Sequence, residues 1–184
     1  MTFPIYMELM EKVVHEANPP APYDQSEYHL YTKLNLTRSK RWMRKAELIP
    51  ALESAVIAID TPQKWIVLTE PWCGDAAHSV PFIAKLSELN PLIQLQIELR
   101  DTEPNRIEQY LTGGSKSIPK WIIQDNQGLD LWVWGPRPAN IQELYLGWKK
   151  ENLTLDEIKE KIQQVYNQDA GRSIQQEYLE YLTK

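Results

Sequence analysis

Cysteine is the scarcest chemistry in this chain: one residue, Cys73, in 184. A lone thiol cannot close an internal disulfide, so the fold needs no oxidising compartment, and a cytoplasmic location is the expectation. One cysteine also gives no zinc or iron–sulfur ligand set, and His15 and His29 lack ligand spacing, so no metal is expected. No apolar run approaches a membrane span, and Met1 to Glu16 has no basic start followed by an apolar stretch, so neither a membrane role nor a secretory signal is expected. Positive charge is short as well. A net charge of −5 argues against a nucleic-acid partner, which would require concentrated basic residues. The one basic run, Arg38, Lys40, Arg41, Arg44 and Lys45, has the spacing of a solvated helix face. Gly113-Gly114 has no Lys-Ser/Thr after it and reads as a turn, not a phosphate loop.

Hydrophobic residues at 42% and charged residues at 24% describe a globular chain long enough for a proper core. Three stretches are legible. The first, 1–45, is an N-terminal helical extension broken by Asn18-Pro19-Pro20-Ala21-Pro22, with Asp24 and Glu27 resembling a capping box for the next helix. The second, 46–136, alternates helices and strands. Pro50 opens a helix, Trp65 to Leu68 reads as a buried strand, and Ala76 to Leu89 as an amphipathic helix. Ile93 to Arg100 alternates apolar and polar residues at the strand period, and Asn105 to Leu111 reads as a short helix. Trp121-Ile122-Ile123 and Leu129 to Trp134 flank Asp125-Asn126-Gln127-Gly128, a hairpin turn. The third stretch, 137–184, is a C-terminal helical extension packing on the same domain. Thr154 with Glu157, and Ser173 with Gln176, mark two capping boxes in it. The fold class is α/β, a mixed sheet flanked by helices.

The chemistry centres on Trp72-Cys73-Gly74-Asp75-Ala76, between the first strand and the helix after it. A helix N-terminus presents free N–H groups and a positive dipole end, both favouring a thiolate. Pro81 lies eight residues beyond Cys73, Ile118-Pro119 directly precedes the Trp121 strand, and the hairpin follows. With these features in this order, the sequence resembles the thioredoxin superfamily over about Pro50 to Pro136, and within it a bacterial thioredoxin-like subfamily with W-C-G-D and added terminal helices. The resemblance implies a thioredoxin-like fold, a cis Pro119, and a site of Cys73 as nucleophile. Trp72, Gly74, Asp75, Ile118 and Pro119 would then be its substrate-binding residues. It implies that the Ile118 backbone is free to pair with an extended substrate and that Trp72 forms an apolar rim.

The departures from the family pattern are specific. Ala76 stands where the resolving cysteine would be, and Val67 where a buried carboxylate would assist proton transfer. Asp75 replaces a proline and adds negative charge beside the sulfur. Two functions lead, and a redox sensor that dimerises through Cys73 is a third. One is a monothiol oxidoreductase in redox homeostasis, acting on protein or small-molecule disulfides. It needs no bound cofactor, an external low-molecular-weight thiol serving as co-substrate. The other is a non-catalytic module that keeps the groove for binding a peptide or protein. A solvent-open sulfur favours the first and a buried one the second. His78 is expected at the periphery or in solvent, Lys120 as a solvated surface lysine, and Trp121, Trp132 and Trp134 as packing residues.

Overall fold

The computed structural model describes all residues from Met1 to Lys184. The chain forms seven helices and four strands: α1 (Phe3–His15), α2 (Ser26–Lys45), α3 (Pro50–Ile57), β1 (Gln63–Thr69), α4 (Gly74–Ser87), β2 (Ile93–Leu99), β3 (Lys120–Gln124), β4 (Asp130–Trp134), α5 (Ala139–Lys150), α6 (Leu155–Asp169) and α7 (Arg172–Leu182). None of the helices is long and apolar enough to cross a membrane.

The strands form one sheet in the order β2-β1-β3-β4. The β1–β2 pair is parallel and is joined through α4, while β1–β3 and β3–β4 are antiparallel. Such a mixed sheet flanked by helices is the expected α/β arrangement. β1 lies in the sheet interior with both faces covered, which explains an unbroken buried run from Trp65 to Thr69 instead of an alternating one. β2 is an edge strand; Ile93 and Ile97 are buried, whereas Gln94 is exposed. On one face, Trp65 and Trp121 meet edge to face with ring centroids 4.9 Å apart, and Tyr178 of α7 packs against both. Trp132 joins this aromatic layer and Trp134 is buried beside it, so the three tryptophans pack as their spacing implied.

Several local boundaries differ from the sequence expectation. Asp24 and Glu27 form no capping box: α2 begins at Ser26 with Gln25 at its N-cap and no side-chain cap. Asn105 to Leu111 gives only one tight turn, Arg106–Gln109, because Asn105 sits in a left-handed conformation at φ 54°. The Thr154–Glu157 box is complete. The Ser173–Gln176 box is not made, because Ser173 turns back to bond Asp169 and α7 starts after Gly171, at φ 76°. Chain reversal there brings α7 back across the sheet, where a Cβ on Gly171 would fall 2.2 Å from the Phe82 ring.

Candidate functional site

Cys73 occupies the N-cap of α4, in extended conformation at ψ 113°. Its N–H donates to the Glu70 carbonyl at 2.9 Å, and its own carbonyl accepts from Ala77, so the strand-to-helix turn fixes the thiol at the helix start. The Ile118–Pro119 peptide is cis, as the resemblance implies. It lies beside this turn, and the Cys73 Sγ–H donates to the Ile118 carbonyl at 3.4 Å. That carbonyl is therefore occupied, while the Ile118 N–H has no partner.

The sulfur is not open. Cys73 is only 6% exposed, within the same core cluster as Tyr6 of α1 and Tyr178 of α7. Burial, then the Asp75 charge, push its thiol up to about 12, against the opposing pull of the Ala76 and Asp75 N–H groups and Arg137. The helix N-terminus does favour a thiolate, but desolvation outweighs it.

Asp75 is spoken for. Arg137, just past the hairpin, meets it with Nη2 at 2.7 Å from Oδ2 and Nε at 3.0 Å from Oδ1, a two-pronged pair. The Tyr166 hydroxyl of α6 donates to the same carboxylate at 3.0 Å. Burial raises the Asp75 pKa even so, with Arg137 and Tyr166 pulling the other way. Gly74, the first residue of α4, faces open space at its α-carbon. Trp72 packs against Tyr28 of α2 with the rings tilted and their centroids 5.1 Å apart, and the Arg100 guanidinium lies over its ring at 4.8 Å. Its indole N–H is buried without a partner.

Three expectations are corrected by long-range packing. His78 is neither peripheral nor solvated: it is 2% exposed, stacked on Tyr166 at 4.7 Å. Its Nδ1 accepts from the Trp42 indole, a pure donor, at 2.9 Å, so the remaining proton sits on Nε2, which faces the Gln163 carboxamide. Burial depresses its pKa to about 3. Lys120 is no surface lysine, being 6% exposed with Nζ donating to the Gly135 carbonyl at 2.9 Å. The basic run of α2 is solvated only in part. Lys40, Arg44 and Lys45 are exposed, but Arg38 and Arg41 are half-buried.

A buried acid does exist, although not at Val67. Glu70, 3% exposed, accepts from the Tyr23 hydroxyl at 3.1 Å and the Asp101 N–H at 3.2 Å, and burial raises its pKa. Nothing in the sequence separates it from an ordinary strand-end glutamate; its burial depends on the segment before α2 folding over it.

Around Cys73 lies a cleft of about 610 Å³. Its walls are α2, with Tyr28, Tyr31 and Arg38; the 115–118 loop; Pro136-Arg137; and α6, with Lys159, Gln163 and Tyr166. Lys159 ties the two helical walls together by donating to the Tyr31 hydroxyl at 2.8 Å. Asn35 of α2 anchors its wall to the loop before Cys73 through the Pro71 carbonyl at 3.1 Å. Of the expected site residues, Trp72, Cys73, Gly74, Asp75 and Ile118 line this cleft, while Pro119 is buried behind it. Five cationic side chains line it (Arg38, Arg100, Lys116, Arg137, Lys159) against two acidic ones, Glu27 and Asp75. The cleft thus reverses the sign of the chain's net charge of −5. No group of three or more His, Cys, Asp or Glu side chains is gathered to hold a metal.

Residues 21–154 match the sequence model of a family described as Thioredoxin. No curated protein matches the chain. Among solved structures, an HIV epitope-scaffold aligns over 100% of this chain and 98% of its own, with 15% identity and a TM-score of 0.58, a likeness of fold alone. A protein of unknown function from Pseudomonas aeruginosa aligns over 91% of this chain and 96% of its own, with 19% identity and a TM-score of 0.49.

Proposed function

Since this chain belongs to the thioredoxin family, we propose that it is a thioredoxin-fold module that binds an extended peptide segment, with disulfide exchange given up. The observation carrying this reading is the state of Cys73: buried, bonded to the Ile118 carbonyl, and held as a thiol. A rise from about 9 to about 12 lowers the thiolate fraction near neutrality about a thousandfold. The accompanying gain in nucleophilicity restores only about twentyfold. Attack on a disulfide would run about fifty times slower than for an ordinary cysteine, before steric burial is counted. With Ala76 in place of a second thiol, no residue nearby completes the exchange cycle.

Binding draws on other groups. The unpartnered Ile118 N–H can donate to an extended chain laid along the loop, as strands add to free backbone. Trp72 and Tyr28 supply an aromatic wall against which a side chain packs.

A second reading, a monothiol oxidoreductase, is favoured by one observation: Cys73 lines the cleft. In that reaction the Cys73 thiolate attacks one sulfur of a substrate disulfide, forming a mixed disulfide and releasing the other sulfur as a thiolate. An external low-molecular-weight thiol then attacks the mixed disulfide, freeing Cys73 and taking over the substrate sulfur. The two readings part on Cys73→Ser. If peptide binding persists in the variant and intact protein shows no adduct with glutathione disulfide by mass spectrometry, the module stands. Adduct formation at Cys73, with turnover lost in the serine variant, supports the enzyme.

A further inference from the structure

The cations of the cleft are not equally engaged. Arg137 is held by Asp75, Lys116 by Glu108, Arg100 by Asp101, and Lys159 lies 3.6 Å from Glu27 and 3.2 Å from Asp156. Arg38 alone has no carboxylate: its Nη1 donates to the Asn35 side-chain oxygen at 2.8 Å. Arg41, three residues on, has none either, resting on the Trp42 ring and donating to the Asn167 side chain, with its Nε buried and unpartnered. Burial and the neighbouring Arg41 both lower the Arg38 pKa, the mark of a desolvated cation beside a like charge. The groups facing this pair from α4 and α6 are neutral: His78, Gln163 and Asn167. Two partly desolvated guanidinium groups one helical turn apart with no acid between them are costly unless an anion completes them.

We propose that the cleft accepts a peptide segment bearing an acidic side chain, whose carboxylate pairs with Arg38. The proposal rests on the peptide-binding reading above and names its partner chemistry. Arg38, the free Ile118 N–H and the Tyr28–Trp72 wall border one cleft of about 610 Å³. A single extended chain can therefore meet a backbone donor, an aromatic surface and a guanidinium fork together. A free small anion would use only the last of these. The planar fork suits a carboxylate held by two parallel hydrogen bonds, and aromatic packing adds contact beyond charge.

The test is titration calorimetry of the full chain with three short peptides blocked at both ends. They are identical except that one carries glutamate, one glutamine and one lysine at two central positions; citrate and inorganic phosphate are separate titrants. The glutamate peptide should bind at least about tenfold more tightly than the glutamine peptide, with the lysine peptide weakest. Its affinity should fall as salt is raised from about 0.05 to about 0.5 M, a readout that needs no variant. Arg38→Gln should erase the glutamate preference. Equal affinity for the glutamate and glutamine peptides overturns the acidic preference and leaves the peptide-binding reading intact. Failure of all three peptides to bind overturns both. Citrate or phosphate binding while no peptide does replaces the proposal with a small-anion site.

Discussion

Replacing Arg137 with methionine removes the guanidinium from Asp75 and from above the Tyr145 ring, while keeping much of the apolar stem of the side chain. The carboxylate left behind is only 12% exposed and retains one partner, the Tyr166 hydroxyl at 3.0 Å. Breaking a buried pair from one side costs about 3–5 kcal/mol, and with the remaining exposure and Tyr166 the lower end applies, about 3 kcal/mol. For a chain of this size that corresponds to a fall of roughly 6–12 °C in Tm. The loss should also depend on pH. Burial already raises the Asp75 pKa above its ordinary value, and without Arg137 it rises further. The folded variant then binds a proton more readily than the unfolded chain, so its stability is highest at low pH and is lost as pH rises through the folded pKa. Urea denaturation of the wild type and the variant at about pH 5 and about pH 8 measures this. The difference between them should be largest at the higher pH, and Asp75→Asn combined with Arg137→Met should recover part of it. A variant within about 1 kcal/mol of the wild type at both pH values would refute the coupling of Asp75 to Arg137.

Asp75→Asn removes the largest charge effect that raises the Cys73 pKa while leaving Arg137, so iodoacetamide should label Cys73 faster at mildly alkaline pH; an unchanged or slower rate would refute the electrostatic assignment. Gly171→Ala should destabilise by more than about 1 kcal/mol in urea titration, because φ is 76° and the new methyl meets the Phe82 ring; a neutral result would mean α7 is not seated as described. His78, with its pKa depressed to about 3, stays neutral in the fold and titrates in the unfolded chain, so stability falls as pH drops below about 6.5. By about pH 5 this amounts to roughly 2 kcal/mol, and the His78 ring resonances should not titrate between about pH 8 and pH 5.

Much of the scaffold was legible because its determinants are local. Cys73 at the N-cap, Pro81 inside α4, the alternation of β2 and the Asp125–Gly128 turn each rest on a few neighbouring residues. The resemblance supplied what short-range pattern does not, the cis Ile118–Pro119 peptide beside the thiol. What stayed hidden spans long separations in sequence. Asp75 finds Arg137 and Tyr166, His78 finds Trp42, and Glu70 finds Tyr23, each fixed by how the outer helices dock. The helix N-terminus at Cys73 pointed to an activated thiol. The opposite result comes from α1, α2 and α6 packing around it, a burial that no window around residue 73 contains. Arg38 follows the same rule: its spacing on α2 is that of a solvated face until α6 is placed opposite.

The most direct measurement is the ionisation of Cys73 itself, followed by thiolate absorbance near 240 nm and by alkylation rate against pH in the folded chain. A buried, protonated thiol gives no thiolate step below about pH 10 and labels about fifty times more slowly than the same cysteine in the urea-unfolded chain near neutrality. A thiolate step below about pH 7.5, with labelling faster than in the unfolded chain, would contradict a binding module and restore Cys73 as a nucleophile.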